Sequence, residues 1–165
     1  MALTYKIRDA RLSRQAFLDE TGIKPGNTVL DYGCGPGSYV VKVAGMVGEG
    51  GHVYALDRQP LALRMVSEAA RHAHVSNVTT ILSDGYTGLP SNSVDVALLY
   101  DIYHDLLKPQ SVLKELYRVL KPTGMLSSHD HHLKEDALRQ AIESSELFTL
   151  ARSDVHTMSF SPLTR

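Results

Sequence analysis

Between Val29 and Val40 the chain reads VLDYGCGPGSYV, an apolar run and an aspartate followed by glycines at every second position. Such a turn, lying between a strand and a helix, brings backbone against a ligand, because only glycine admits the close approach and the unusual dihedrals. It predicts an α/β domain with a ligand at the end of its first strand.

The rest of the chain has the matching rhythm. Strands are expected at Thr28 to Tyr32, His52 to Leu56 (ending at Asp57), Val78 to Leu82, Val94 to Tyr100 and Met125 to Ser128. Helical stripes fall between them: Ser38 to Val47, the segment after Pro60, and the segment opened by Pro109 and closed by Pro122-Thr123-Gly124. After Pro60, Leu61, Met65, Ala69 and Ala73 form one row, with Ala62, Val66 and Ala70 beside it. A helix over Glu135 to Ser145 and a closing hairpin, Phe148 to Val155 with Thr157 to Phe160, complete the series, and Asp9 to Glu20 reads as a leading helix. Strands alternating with helices imply a mostly parallel sheet covered on both faces, with ligands at the carboxyl ends of the strands.

Two ligands compete for the glycine turn. A dinucleotide site wants G-x-G-x-x-G, but the third glycine position here holds Ser38. Asp31 beside the turn would repel a pyrophosphate and attract an ammonium group. Both points favour S-adenosylmethionine over a nicotinamide dinucleotide.

The ordered motifs carry a resemblance to a family. VLDYGCGPGSY, VYALD, SDGYTGLP, VDVALLYDIYH and LKELYRVLKPTGML, in that order, resemble the class I S-adenosylmethionine-dependent methyltransferases, most closely the small-molecule type, over about Gly22 to Phe160. The resemblance implies a Rossmann-like, seven-stranded, mostly parallel sheet with an antiparallel closing strand and helices on both faces. It implies S-adenosylmethionine as cofactor, with Asp31, Gly33, Cys34, Gly35 and Gly37 at its methionine end. Asp57 would accept from both ribose hydroxyls, and Arg58 would line the ribose or adenine edge. Asp84 and Gly85 would meet the adenine, and Tyr100 and Asp101 would lie beside the methionine moiety. A helix cap at Asp57 and a turn-forming Asp84-Gly85 are the purely structural alternatives. Cys34 is expected as a small wall residue rather than a nucleophile.

Methyl transfer by in-line displacement asks the protein mainly to align two reactants and exclude water, with a base where the acceptor must lose a proton. Two histidine clusters fall at strand ends, DIYHD (Asp101 to Asp105) and SHDHH (Ser128 to His132). His104 is the candidate base, with Asp101 or Asp105 expected to orient its ring. No metal site is expected from the second cluster, since neighbouring residues on a strand point in opposite directions. His52, His72, His74 and His156 are read as structural.

Composition limits the partners. A net charge of −1 over 165 residues gives no basic field for nucleic acid, and the fourth strand ends in YDIYH rather than an N-P-P-Y pattern. Nothing approaches the roughly 20 apolar residues of a membrane span. One cysteine and no secretory pattern at the start fit a cytoplasmic protein. The expected organisation is one methyltransferase domain over residues 1–165 with a leading segment of about 1–22, acting on a small-molecule acceptor. With so short a chain the acceptor pocket is expected to be open, or to be completed by Tyr5 and the first helix, by a homodimer, or by a partner subunit. A non-catalytic cofactor-binding partner of another methyltransferase and a nicotinamide-dependent oxidoreductase are the competing functions.

Overall fold

A computed structural model describes residues 14–164. Seven strands form one sheet in the order β3-β2-β1-β4-β5-β7-β6. They are β1 (Thr28–Tyr32), β2 (His52–Asp57), β3 (Val78–Leu82), β4 (Val94–Tyr100), β5 (Leu120–His129), β6 (Phe148–Ser153) and β7 (Met158–Pro162). The first five pair in parallel, while β7 runs antiparallel between β5 and β6. Four helices cover it: α1 (Val40–Val47), α2 (Pro60–His72), α3 (Pro109–Val119) and α4 (Glu135–Glu143). Residues 14–19 are also helical, so the later part of the expected leading helix is present, while its earlier part and Tyr5 lie outside the described residues.

The sheet divides the core in two. Leu30, Ala97 and Leu99 face one apolar layer with α3 and α4, and Val29, Val96 and Leu98 face the other with α1 and α2. This alternation from Val96 to Tyr100 is why the strand reads as a continuous apolar run, since both of its faces are covered.

Three local details differ from the sequence expectations. Helix α1 begins at Val40 rather than Ser38, because Gly37 at φ +82° interrupts the helical path and Tyr39 supplies the first carbonyl, to the Val43 amide. Helix α3 ends at Val119, before Pro122-Thr123-Gly124. Leu120 is already extended and opens β5, two residues ahead of Pro122. The register slips between Val94 and Val96, and Gly124 takes up the crowding, where a Cβ would meet the Lys121 and Asp95 carbonyls at 2.9 and 3.0 Å. On α2 the buried residues are Leu63, Val66 and Ala70, while Leu61 and Met65 are 69% and 47% exposed. An alanine-rich helix offers two overlapping stripes, and contact with the glycine turn selects the one bearing Val66.

Candidate cofactor and acceptor site

The glycine turn leaves β1 with Gly33, Gly35 and Gly37 all at positive φ, +75°, +53° and +82°. It folds back onto the end of β2. The Gly33 and Cys34 amides donate to the Leu56 carbonyl at 2.8 and 2.9 Å, and the Gly35 amide donates to Asp57 Oδ2 at 2.9 Å. A Cβ on Gly33 would lie 2.7 Å from Ile102 Cγ1, and one on Gly37 would lie 2.9 Å from Val66 Cγ2. The turn is thus wedged between the loop after β4 and helix α2. At Gly35 a Cβ would meet nothing within 4 Å, so this part of the turn presents bare backbone to open space.

A cavity of about 580 Å³ opens beside the turn, across the carboxyl ends of β1, β2 and β3. Five of the expected site residues line it together: Gly33, Asp57, Arg58, Asp84 and Gly85. Asp57 Oδ1 accepts the Gln59 amide at 2.8 Å, so the capping alternative also holds, though each carboxylate oxygen retains acceptor capacity. Arg58 spans to Asp105 at 2.8 Å, and both residues line the cavity. Tyr32 donates from its hydroxyl to the Gly85 carbonyl at 3.3 Å.

The loop carrying Asp84 rests on a residue the sequence reading missed. Glu115, buried on α3, accepts from the Thr87 amide and hydroxyl at 2.8 and 2.6 Å and from Arg118 Nε and Nη2, each at 2.8 Å. Burial alone would raise its pKa, but these hydrogen bonds outweigh burial and hold it below the usual carboxylate range. The available signal was a carboxylate set between the inward-facing Val112, Leu113 and Leu116.

Asp31, Cys34, Gly35, Gly37, Tyr100, Asp101 and His104 do not line the cavity. Asp31 is buried at the end of β1, and its Oδ2 has no hydrogen-bond partner among the described residues. Burial, then the neighbouring Asp57 charge, pushes its pKa up to about 7. Cys34 is buried, and burial followed by the Asp31 and Asp57 charges pushes its thiol far up, which leaves no thiolate to act as nucleophile. Tyr100 packs edge-on against Phe17 and Tyr39 and shares a 2.7 Å hydrogen bond with Ser127.

The histidine clusters pair differently from expectation. His104, in a 3-10 turn over Tyr103–Asp105, is oriented by Asp130 and not by Asp101 or Asp105. Its Nδ1 lies 3.0 and 2.9 Å from the two Asp130 oxygens, and its amide donates to Oδ2 at 3.0 Å. Asp101, at φ +53°, instead holds His131 through the amide at 2.9 Å and through Nδ1 at 2.6 Å. Asp105 is engaged with Arg58. The left-handed residue breaks the strand's alternation, and the turn after it then carries His104 toward the end of β5. The His131 and His132 rings lie 3.9 Å apart and tilted by 41°, and the His132 ring lies 4.1 Å from that of His104. Among the described residues, no group of three or more histidine, cysteine or acidic side chains is placed to hold a metal.

Nearby, Phe17 of the leading helix stacks on His156 at 4.9 Å, and the Glu20 carboxylate accepts from the Thr157 amide and hydroxyl at 2.8 and 2.9 Å. The leading segment is thereby latched to the β6–β7 turn.

Comparisons with known proteins agree with this architecture. A family model described as "Methyltransferase domain" matches residues 23–158. The chain is 32% identical over 118 residues to the ubiquinone/menaquinone biosynthesis C-methyltransferase UbiE of Escherichia fergusonii, covering 70% of this chain and 47% of that protein. It is likewise 32% identical over 109 residues to the demethylmenaquinone methyltransferase of Listeria welshimeri, covering 66% and 46%. The chain therefore spans about half the length of the curated relatives it matches. Among solved structures, a SAM dependent methyltransferase from Aquifex aeolicus superposes with a TM-score of 0.80 at 28% identity, covering 92% of this chain and 89% of that one.

Proposed function

The chain belongs to the methyltransferase domain family, class I in fold, and on that premise we propose that it moves a methyl group from S-adenosylmethionine to a small-molecule acceptor. The observation that carries this reading is the convergence of Gly33 at the start of the glycine turn, Asp57 and Asp84 on one cavity at three neighbouring strand ends. The residues present suit the cofactor. Asp31 offers a buried carboxylate oxygen without a partner among the described residues, a natural counterpart for an ammonium group. Gly35 offers backbone with nothing within 4 Å of its Cβ direction. Asp57 keeps acceptor capacity for ribose hydroxyls, and Asp84 and Gly85 line the far side for the adenine.

When bound, the cofactor supplies an electrophilic methyl group on a sulfonium centre. The protein's own contribution is alignment, exclusion of water and removal of a proton. Gly33, packed against Ile102, couples the turn to the loop that carries His104. His104 takes the acceptor's proton, while Asp101 is committed to shaping the wall through His131. The relatives named for C-methylation in quinone biosynthesis support a small-molecule acceptor. No helix among the described residues is long and apolar enough to cross a membrane. The single, unpaired cysteine is in keeping with action in the cytoplasm.

The test is calorimetric titration with S-adenosylhomocysteine, with NAD as control. Saturable binding of the first alone is the expected result. Binding of NAD alone would overturn the reading in favour of an oxidoreductase.

A further inference from the structure

We propose that Asp130 is a positioning residue that fixes His104 in the tautomer needed to deprotonate the acceptor. The inference rests on the methyl-transfer reading above and deepens it. It restricts the acceptor to molecules whose reacting O–H, N–H or C–H group must surrender its proton.

The argument begins with the carboxylate. The Asp130 side chain is fully buried, and each of its oxygens already receives a backbone amide, Oδ2 from His104 at 3.0 Å and Oδ1 from His132 at 3.0 Å. Such a group is an ionised acceptor that donates nothing. The hydrogen bond between it and His104 Nδ1 therefore has one polarity: Nδ1–H donates and Asp130 accepts. In the neutral ring this leaves the lone pair on Nε2, at the opposite edge of an imidazole whose side chain is 31% exposed. Both of the amides that hold Asp130 belong to the histidine segments themselves, so ring and carboxylate are aligned by one local frame.

Position adds the second half. His104 follows Ile102 by two residues, and Ile102 fills the space that a side chain on Gly33 would take. The ring thus stands on the loop that packs directly against the cofactor turn. His132 crowds its face at 4.1 Å and limits its rotation.

The step balances. The acceptor's bond to hydrogen breaks, and its proton passes to His104 Nε2. The electron pair released forms the new bond to the methyl carbon, and the pair of the breaking carbon–sulfur bond stays on sulfur. His104 becomes an imidazolium, stabilised by Asp130 through Nδ1–H, and later releases the proton to water.

The test reads the tautomer directly. Protein carrying ¹⁵N in its histidine rings is observed at a pH where the His104 ring is neutral, with His104 assigned by the signal lost in His104→Gln. Expected is a protonated Nδ1 in the wild type. In Asp130→Asn the side-chain amide can donate to Nδ1, and the proton is expected to move to Nε2. Protonation of Nε2 in the wild type, which needs no variant to fold, overturns the proposal. So does an unchanged tautomer in Asp130→Asn. S-adenosylhomocysteine titrated into the same samples reads the cofactor site separately, with equal affinity expected for both proteins. A wild type with Nδ1 protonated that binds no S-adenosylhomocysteine would strike the cofactor reading while supporting the positioning by Asp130.

Discussion

Asp57 Oδ2 accepts the Gly35 amide at 2.9 Å, tying the end of β2 to the turn that follows β1. One carboxylate therefore has two tasks, holding the turn in shape and presenting acceptors to the cavity. Asp57→Ala removes both. S-adenosylhomocysteine affinity is expected to fall at least tenfold by calorimetry, with a loss of stability of about 1–3 kcal/mol from the orphaned Gly35 and Gln59 amides. Unchanged affinity would show that Asp57 does not hold the ribose.

Asp31 should oppose stability in the absence of a cation. Its pKa is raised to about 7 in the fold, above the unfolded value, so the protonated form is the one that folding favours. The sign follows: its relative contribution is full below the ordinary aspartate range and is lost as pH rises toward and through about 7. Asp31→Asn should be more stable than the wild type at about pH 8, by on the order of 3 kcal/mol, with little difference at about pH 4. Urea unfolding at the two pH values checks it. The same variant should bind S-adenosylmethionine at least tenfold more weakly, since no carboxylate remains for the ammonium group.

Gly33→Ala meets two obstacles together, a φ of +75° and a Cβ placed 2.7 Å from Ile102 Cγ1. Gly35→Ala meets only the first, since nothing lies within 4 Å. Thermal unfolding should show Gly33→Ala the less stable of the pair, with a cost of about 1–3 kcal/mol against wild type. Binding should rank the other way, if Gly35 is the closer to bound ligand. Equal binding losses would remove that assignment.

Glu115 supports the loop that carries Asp84 without itself lining the cavity. Its lowered pKa means that its contribution is present above the ordinary carboxylate range and is lost as pH falls through its depressed value. Glu115→Ala leaves Arg118 and the Thr87 groups without their shared partner, at a cost of about 3 kcal/mol. The displaced loop should also weaken S-adenosylhomocysteine binding several-fold. Hydrogen exchange over residues 83–89 would show the loop opening, and wild-type protection there would refute the support role.

The order of strands and helices, the glycine turn and the acid closing the second strand were all readable along the chain, because each is a local matter. Periodicity marks buried faces, proline and glycine mark ends, and alternate glycines leave the backbone free to turn left-handed. Tertiary structure alone decided the pairings. Asp130 reaches His104 across 26 positions because the left-handed Asp101 and the turn after it redirect the loop, and no spacing rule contains that angle. Helix α2 buries Val66, packed where Gly37 has no side chain, and exposes Leu61, a choice that an alanine-rich pattern leaves open. Glu115 likewise looks like a break in an apolar stripe until the loop after β3 folds over it. Local chemistry determined which residues could serve a cofactor, and packing between distant segments determined which of them meet.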